Sequence, residues 1–368
     1  MTRLWVAAGF LFLCVTLQAS DTNHAQQAEA LFAGWKSDDP GAAVLVLKSG
    51  KAVFERGYGV TDLRTRQRIG PETNFRLASC TKQFTAMAVM LLAHDGKLRY
   101  DETLTEVFPE FPAYGKQITI RNLLNHTSGL PDYEDLMQPQ PGVAEDKLRQ
   151  IHDREVLMLL ERQTKTNFAP GTHWAYSNSG YVVLAMVVEK VSGKRFGEFL
   201  QERIFTPLGM THTMAYEKGK NEVTNRAYGH TRRGGKWVEK DQSDTSATLG
   251  DGGVYSSLQD LGKWDRALSQ NRLLSEAEMR PAWTPVVVPD HSVEEPDGRP
   301  AAYGFGWFLN PYHGHARVWH YGETVGFRTT IQRFKDVTVI ILANRDDVAP
   351  AEMAEKIAEG QWSVPSSQ

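Results

Sequence analysis

The chain has 368 residues, 41% of them hydrophobic and 23% charged, with a formal net charge of −3. This is an ordinary globular profile, long enough for one compound domain or two. A net charge so small, with no long basic run, gives nucleic-acid binding no support.

The chain opens MTRLWVAAGFLFLCVTLQAS, in which Arg3 precedes an apolar run from Leu4 to Leu17 and then small residues. That order predicts a secretory signal peptide, too short for a comfortable membrane span. Cleavage is expected after Ala19, which makes 1–19 the signal and 20–368 the mature domain, with no stable span left. Loss of Cys14 leaves Cys80 as the remaining cysteine, so no intrachain disulfide can form. An exported chain held together by its core suits a bacterial periplasm. Its oligomeric state stays open.

A short helix is predicted over 25–36. Ala42–Leu47 and Lys51–Tyr58 read as strands joined by Ser49-Gly50, a two-residue hairpin signal. The stretch Phe75–Gly96, FRLASCTKQFTAMAVMLLAHDG, follows. Phe84, Met87, Ala88, Leu91 and Leu92 form one helical stripe, while Ala86, Val89, Met90 and Ala93 cover most of the opposite side. A helix apolar almost all round is buried between layers. Its polar exception is the first turn, with Ser79, Thr81, Lys82 and Gln83. Ser79 and Lys82 stand at i and i+3, neighbours on one face. A serine hydroxyl is a weak nucleophile until a base takes its proton, and desolvation fits a lysine for that task. The bland alternative is a serine cap beside a solvated lysine. It conflicts with a helix too apolar to lie in water.

From about 97 to 245 the pattern is helical and loop-rich. Ile120–Leu124 begins a short helix that runs into the turn-dense Asn125–Pro131. Asp153 is placed to cap a helix through Val156, Leu159 and Leu160, and Pro170-Gly171 breaks the chain before His173–Asn178. Apolar helices are expected over Tyr181–Val191 and Phe196–Phe205. A polar stretch over 217–246 carries a hairpin signal at Arg233-Gly234-Gly235. Short strands return at Gly250-Asp251-Gly252-Gly253, and Ser257 with Asp260 has capping-box spacing ahead of a helix over Leu258–Leu268. Residues 281–302 form a long loop of the kind found beside sites. Four strand-like runs, Tyr303–Leu309, Ala316–His320, Phe327–Phe334 and Val337–Ala343, lead to a helix over Ala351–Glu359. Strand pairs at both ends around a helical middle predict α+β, with a sheet part over about 25–78 and 247–360 and a helical part over about 79–246.

Three segments stand in a fixed order: Ser79-x-x-Lys82, Tyr176-Ser177-Asn178 and His320-Tyr321-Gly322. Together with Phe75-Arg76, Leu123–Pro131 and Gly252–Ser256, they make the chain resemble the serine penicillin-recognising superfamily, in its class C β-lactamase and D-alanyl-D-alanine carboxypeptidase branch. The resemblance runs over roughly residues 25 to 360. It implies a β-lactamase/transpeptidase-like fold, an antiparallel sheet flanked by helices with a mostly helical insertion, working without metal or other cofactor. It implies that Ser79 is acylated, that Lys82 assists its deprotonation, and that Tyr176 is the shared acid/base with a phenol pKa depressed by the lysine cation. Asn178 would bond the substrate amide and Lys82. The N–H groups of Ser79 and Glu323 would form the oxyanion hole, and Tyr133 would contact substrate.

The third segment departs from the lysine and threonine of true β-lactamases. A neutral histidine at His320 offers no permanent cation, and Tyr321 narrows the slot. Gly322 is expected to let the backbone approach a ligand closely. A peptide or ester substrate, cleaved by a carboxypeptidase-like enzyme, is therefore expected ahead of β-lactams. The alternatives are a class C-type β-lactamase and a penicillin-binding sensor without turnover. Other site signals carry less. No Gly-x-Ser-x-Gly elbow of an α/β-hydrolase occurs. His313-Gly314-His315 lacks a nearby acid for a metal site. Cys80 reads as packing, and Tyr303, Phe305, Trp307 and Phe308 read as sheet core and cleft wall.

Overall fold

The computed structural model describes residues 23–143, 147–290, 293–295 and 298–361. The signal peptide expected at 1–19 lies outside the described residues. Helix α1 over 23–32 leads to strands β1 (Ala42–Lys48) and β2 (Lys51–Tyr58). Between them Ser49 and Gly50 take φ of 47° and 76°, the paired left-handed conformations that let a two-residue turn match the strand twist.

The short β3 (Phe75–Arg76) and a 3₁₀ turn over Ala78–Thr81 open into α2 (Lys82–His94). The helices of the middle region that bear on the site are α3 (Ile120–Leu124), α4 (Asp153–Glu161) and α5 (Asn178–Ser192). Then come β4 (Met214–Ala215), a hairpin of β5 (His230–Arg233) and β6 (Lys236–Glu239), β7 (Val254–Ser256) and α6 (Leu258–Ser269). Strands β8 (Arg317–Thr324), β9 (Phe327–Phe334) and β10 (Val337–Ala343) precede α7 (Pro350–Ala358). The main sheet is antiparallel in the order β2-β1-β10-β9-β8, and β3-β7-β4 form a small second sheet. The two ends of the chain thus share one sheet, and the helical middle is inserted between them.

Side-chain alternation along β1 divides the core. Ala43, Leu45 and Leu47 face the large cluster that holds α2, whereas Ala42, Val44 and Val46 face a smaller one with Phe32 of α1 and Ile357 of α7. Helix α2 is buried from Lys82 through Leu92. Phe84 meets Trp264 of α6 at 4.7 Å between ring centroids and Phe205 at 5.4 Å. The oxygen of the polar Gln83 finds a partner there, accepting from Trp264 Nε1 at 2.7 Å.

Three expectations need correction. Tyr303–Leu309 is no strand. Gly306 turns left-handed at φ 77° and Gly304 N–H donates to Trp307 O at 2.9 Å, so the run doubles back with an isolated bridge between Tyr303 and Phe308. Its aromatics are buried because of packing, not because of sheet periodicity. The run expected over Ala316–His320 extends to Thr324, so His320-Tyr321-Gly322 lies inside β8 rather than at a strand end. Asp153 does not cap α4, since His152 holds that position. The Asp153 carboxylate instead accepts from Leu249 N–H at 2.9 Å and Gly250 N–H at 3.1 Å.

Strand β8 is anchored at its start by Arg317, almost wholly buried and paired with both Glu295 and Glu355. Arg317→Met would leave the buried Glu355 without its paired cation and Glu295 with only the exposed Arg299. It should cost about 3–5 kcal/mol, read as a lower urea midpoint at neutral pH.

Candidate active site

Ser79 sits in the 3₁₀ turn, just ahead of α2. Ala78 before it has φ 47°, strain on the order of 1–3 kcal/mol that persists only where neighbours fix the backbone. They do so here. Leu77 N–H donates to Val254 O at 2.9 Å, and Thr329 Oγ1 donates to Leu77 O at 2.8 Å. Gly322 of β8 closes against the same turn: a Cβ there would stand 2.0 Å from Leu77 O and 2.3 Å from Thr329 Oγ1. The close approach that this glycine allows is therefore to the Leu77 backbone rather than to a ligand.

Lys82 is 0% exposed. Its amine donates to Ser79 Oγ at 3.1 Å, Asn178 Oδ1 at 2.9 Å and the Asp251 carbonyl at 3.0 Å. Three ammonium hydrogens meet three acceptors, one from each of three distant segments. Burial, the largest influence, lowers the Lys82 pKa to about 8 against the opposing pull of Asp251 and Asp132.

Tyr176 comes from the segment that Ser177 ends by capping α5, its hydroxyl accepting from Gly180 N–H at 3.0 Å. The Tyr176 ring lies 4.8 Å from Lys82 Nζ, centroid to nitrogen, and its buried hydroxyl faces Ser79. Burial first, and then Tyr321, push its pKa well above the ordinary phenol value, with Ser79 opposing. The expected depression by the cation does not occur. The amine faces the π surface of the ring, and the loss of water around the oxygen outweighs its attraction. Asn178, first residue of α5, holds Lys82 as described.

His320 is wholly buried on β8. Its Nδ1 donates to Tyr321 O at 2.6 Å, since a carbonyl can only accept, and Nε2 accepts from Tyr303 Oη at 3.2 Å. Burial and Lys82 lower its pKa to about 3. It stands as a neutral wall behind Tyr176, with ring centroids 6.1 Å apart. Tyr133 is 1% exposed and donates to Asp251 Oδ2 at 3.1 Å, so its phenol braces the cleft wall. Glu323 is exposed and paired with Arg328 at 2.7 Å. Ser79, Asn178, Tyr133 and Glu323 share one cleft of about 340 Å³, together with Arg76, Glu134 and Asp251.

Sequence reasoning missed Asp251, whose carbonyl takes the third lysine hydrogen. Its signal was the glycine-rich turn 250–253, read there only as a return to strands. It also left His126 and Asp153 without site roles. Cys80 is buried, its thiol pushed up to about 12 by that burial and its Sγ 3.5 Å from His320 O. His313 and His315 lie in a turn closed by the Tyr312–His315 bridge, with His313 3.6 Å from Glu359. A larger groove of about 1070 Å³ runs past Leu136, Met137, Arg149, Met158 and Arg162, but among the described residues no hydroxyl, thiol, amine or imidazole lines it.

A serine bonded to a buried lysine at the head of a core helix, with a tyrosine and an asparagine over them, defines a serine hydrolase of the penicillin-recognising type. The chain belongs to the Beta-lactamase family, whose profile matches residues 27–361. It is 32% identical over 343 residues to penicillin-binding protein 4* of Bacillus subtilis, a match covering 88% of this chain and 73% of that protein. It is 29% identical over 333 residues to a D-aminopeptidase of Brucella canis, covering 89% of this chain and 61% of the relative's length. Among solved structures, a penicillin-binding protein from Bacillus halodurans superposes with a TM-score of 0.74 at 26% identity, covering 91% of this chain and 99% of that one. Among the described residues, no helix is long and apolar enough to cross a membrane.

The lysine pKa fixes the sign of a pH dependence. The free amine, the form able to take the Ser79 proton, accumulates as pH rises through about 8. The single-turnover acylation rate with p-nitrophenyl acetate should climb about tenfold per pH unit below that point and level above it. Lys82→Arg should remove the rise, and a flat wild-type profile between about pH 6 and 9 would contradict the assignment.

Proposed function

We propose that the protein is an exported serine hydrolase that opens an amide or ester bond through an acyl-enzyme on Ser79. The observation that carries this reading is the 3.1 Å hydrogen bond from the wholly buried Lys82 Nζ to Ser79 Oγ at the floor of the cleft. In the neutral state Lys82 takes the Ser79 proton as Oγ bonds to the substrate carbonyl carbon. The oxyanion so formed would accept from the Ser79 and Glu323 N–H groups, donors of a kind worth about a hundredfold or more in rate. As the bond to the leaving nitrogen or oxygen breaks, the Tyr176 phenol, neutral at working pH, gives that atom its proton and is reprotonated from Lys82. Water then enters by the same path in reverse and releases the acid. The Arg3–Leu17 run supports export, which suits a cell-wall or peptide substrate.

The cleft charges support an amine-bearing substrate, the class that the name of the D-aminopeptidase relative describes. Asp251 is buried with Oδ1 unpaired, and Glu134 and Glu323 share its cleft. Burial and mutual repulsion raise the pKa of Glu134 and of nearby Asp132, a strain that a bound ammonium would relieve. Arg76, whose Nη1 is buried without a partner on the same wall, supports the second reading, a carboxypeptidase-like enzyme that holds a terminal carboxylate. His320 supports neither, being uncharged.

Ser79→Ala should abolish turnover of D-alanine p-nitroanilide and of p-nitrophenyl acetate alike, a loss on the order of a millionfold. Equal rates in the two proteins would defeat the hydrolase reading. Glu134→Gln should raise KM for the D-alanine anilide about tenfold and leave the uncharged acetate ester unchanged. A parallel change for both substrates would remove the ammonium role. Preferred cleavage of D-alanyl-D-alanine peptides over the anilide would favour the carboxypeptidase reading.

A further inference from the structure

We propose that His126 is the positioning residue for Tyr176, gripping the backbone on both sides of that tyrosine and packing against its ring. The inference rests on the reading of Tyr176 as the proton relay for Ser79.

His126 opens the turn-dense loop that follows α3, and it is 0% exposed. Its φ is 62°, an uncommon conformation for a residue with a bulky side chain. From this position it makes two contacts with one short segment. Its carbonyl accepts from Ala175 N–H at 3.0 Å, and its Nδ1 accepts from Ser177 N–H at 3.1 Å. Tyr176 is the residue between those two donors. The imidazole ring then lies 4.4 Å from the Tyr176 ring, centroid to centroid, with the planes 37° apart. Tyr303 at 4.6 Å and Tyr181 at 5.1 Å complete the cage.

The tautomer follows from the donor. A backbone N–H can only donate, so Nδ1 is bare and the ring proton sits on Nε2. The titratable groups facing the ring are Lys82, His320, Tyr176, Tyr181 and Tyr303, and burial with the first two holds the imidazole neutral. The ring is thus a hydrogen-bond acceptor and a packing surface rather than a charge. At the far end of Tyr176 the buried hydroxyl faces Ser79, the group it would serve, and among the described residues no other side chain holds it. The phenol is aimed from its backbone and its ring face, and His126 supplies contacts to both. The loop itself is tied down, with Thr127 N–H donating to Asn122 O at 2.9 Å and Gly171 N–H donating to Thr127 O at 2.9 Å.

A double-mutant cycle on the full chain, read by p-nitrophenyl acetate turnover, tests this. His126→Phe keeps an aromatic ring but loses the acceptor for Ser177. It should lower kcat about a hundredfold, the cost of a reacting group displaced by an ångström, with KM within about threefold. His126→Asn can place an oxygen near where Nδ1 stood, and it should return kcat to within about tenfold of wild type. In a Tyr176→Phe background His126→Phe should cost no more than about twofold, because its effect passes through a hydroxyl already removed. Equal losses in the two backgrounds would overturn the inference, as would a His126→Asn no better than His126→Phe. If Tyr176→Phe alone turned over at the wild-type rate, the relay reading would fail and the inference with it. A damaged Tyr176→Phe with an additive His126→Phe loss sinks the inference alone. Should His126→Phe fail to fold by circular dichroism, His126→Gln, whose acceptor lies one bond farther out, takes its place in the cycle.

Discussion

One buried amine governs the arrangement. Lys82 stands inside a helix whose next ten side chains are also out of water. An ammonium in such a place is costly unless every hydrogen is accepted. The three acceptors are Ser79 in the turn before the helix, Asn178 at the start of α5 and the carbonyl of Asp251 in the loop before β7. Satisfying the lysine therefore assembles the site, and misplacing any of those segments would strand a hydrogen in a low-dielectric pocket. The same desolvation that demands the acceptors also lowers the lysine pKa, which prepares the amine to accept a proton. Structural need and chemical use arise from one cause.

The support behind that contact is itself buried and polar. Asp153 takes the N–H groups of Leu249 and Gly250, and Thr85 Oγ1 donates to Gly250 O at 2.6 Å. Both hold the loop whose next residue, Asp251, accepts from Lys82. Tyr133 bonds the Asp251 carboxylate from the other side. The loop carrying the third acceptor is thus fixed from α4, from α2 and from the turn after Pro131. A buried carboxylate is expensive when unpaired, and burial raises the pKa of Asp153 to about 7. The two backbone donors offset part of that cost.

What could be read in the sequence follows from the range of the forces involved. The Ser79–Lys82 pair was legible because helical spacing is local, and the burial of α2 because composition on all sides of a helix leaves no wet face. The Ser49-Gly50 hairpin was legible for the same reason. Misreadings came where partners lie far apart in the chain. Asp153 looks like a cap from its neighbours, yet its partners are 96 and 97 residues away. Tyr303–Leu309 alternates in hydrophobicity like a strand, but Gly304 and Gly306 fold it against Ala282 and the Lys82 backbone, where a Cβ would stand 2.0 and 2.8 Å from their oxygens. The phenol pKa of Tyr176 was argued from one nearby cation. Its sign is set by the whole aromatic enclosure, which no local pattern announces.

That enclosure separates two electrostatic regions. Around Tyr176 stand His126 and His320, neutral and in opposite tautomers, with Tyr181 and Tyr303 beside His126. The carboxylates of the cleft are Glu134, Asp251 and Glu323, of which Asp251 is buried. With the histidines uncharged, Lys82 is the one cation in direct contact with the nucleophile among the described residues, and it loses that charge as the reaction requires. The fixed cation that shares the cleft with Ser79 is Arg76. In the proposed mechanism a developing oxyanion accepts from backbone N–H groups, which the Ala78 turn and β8 closing on Leu77 hold in place. Gly322, which lets strand and turn meet, thus fixes the backbone of the turn that carries Ser79.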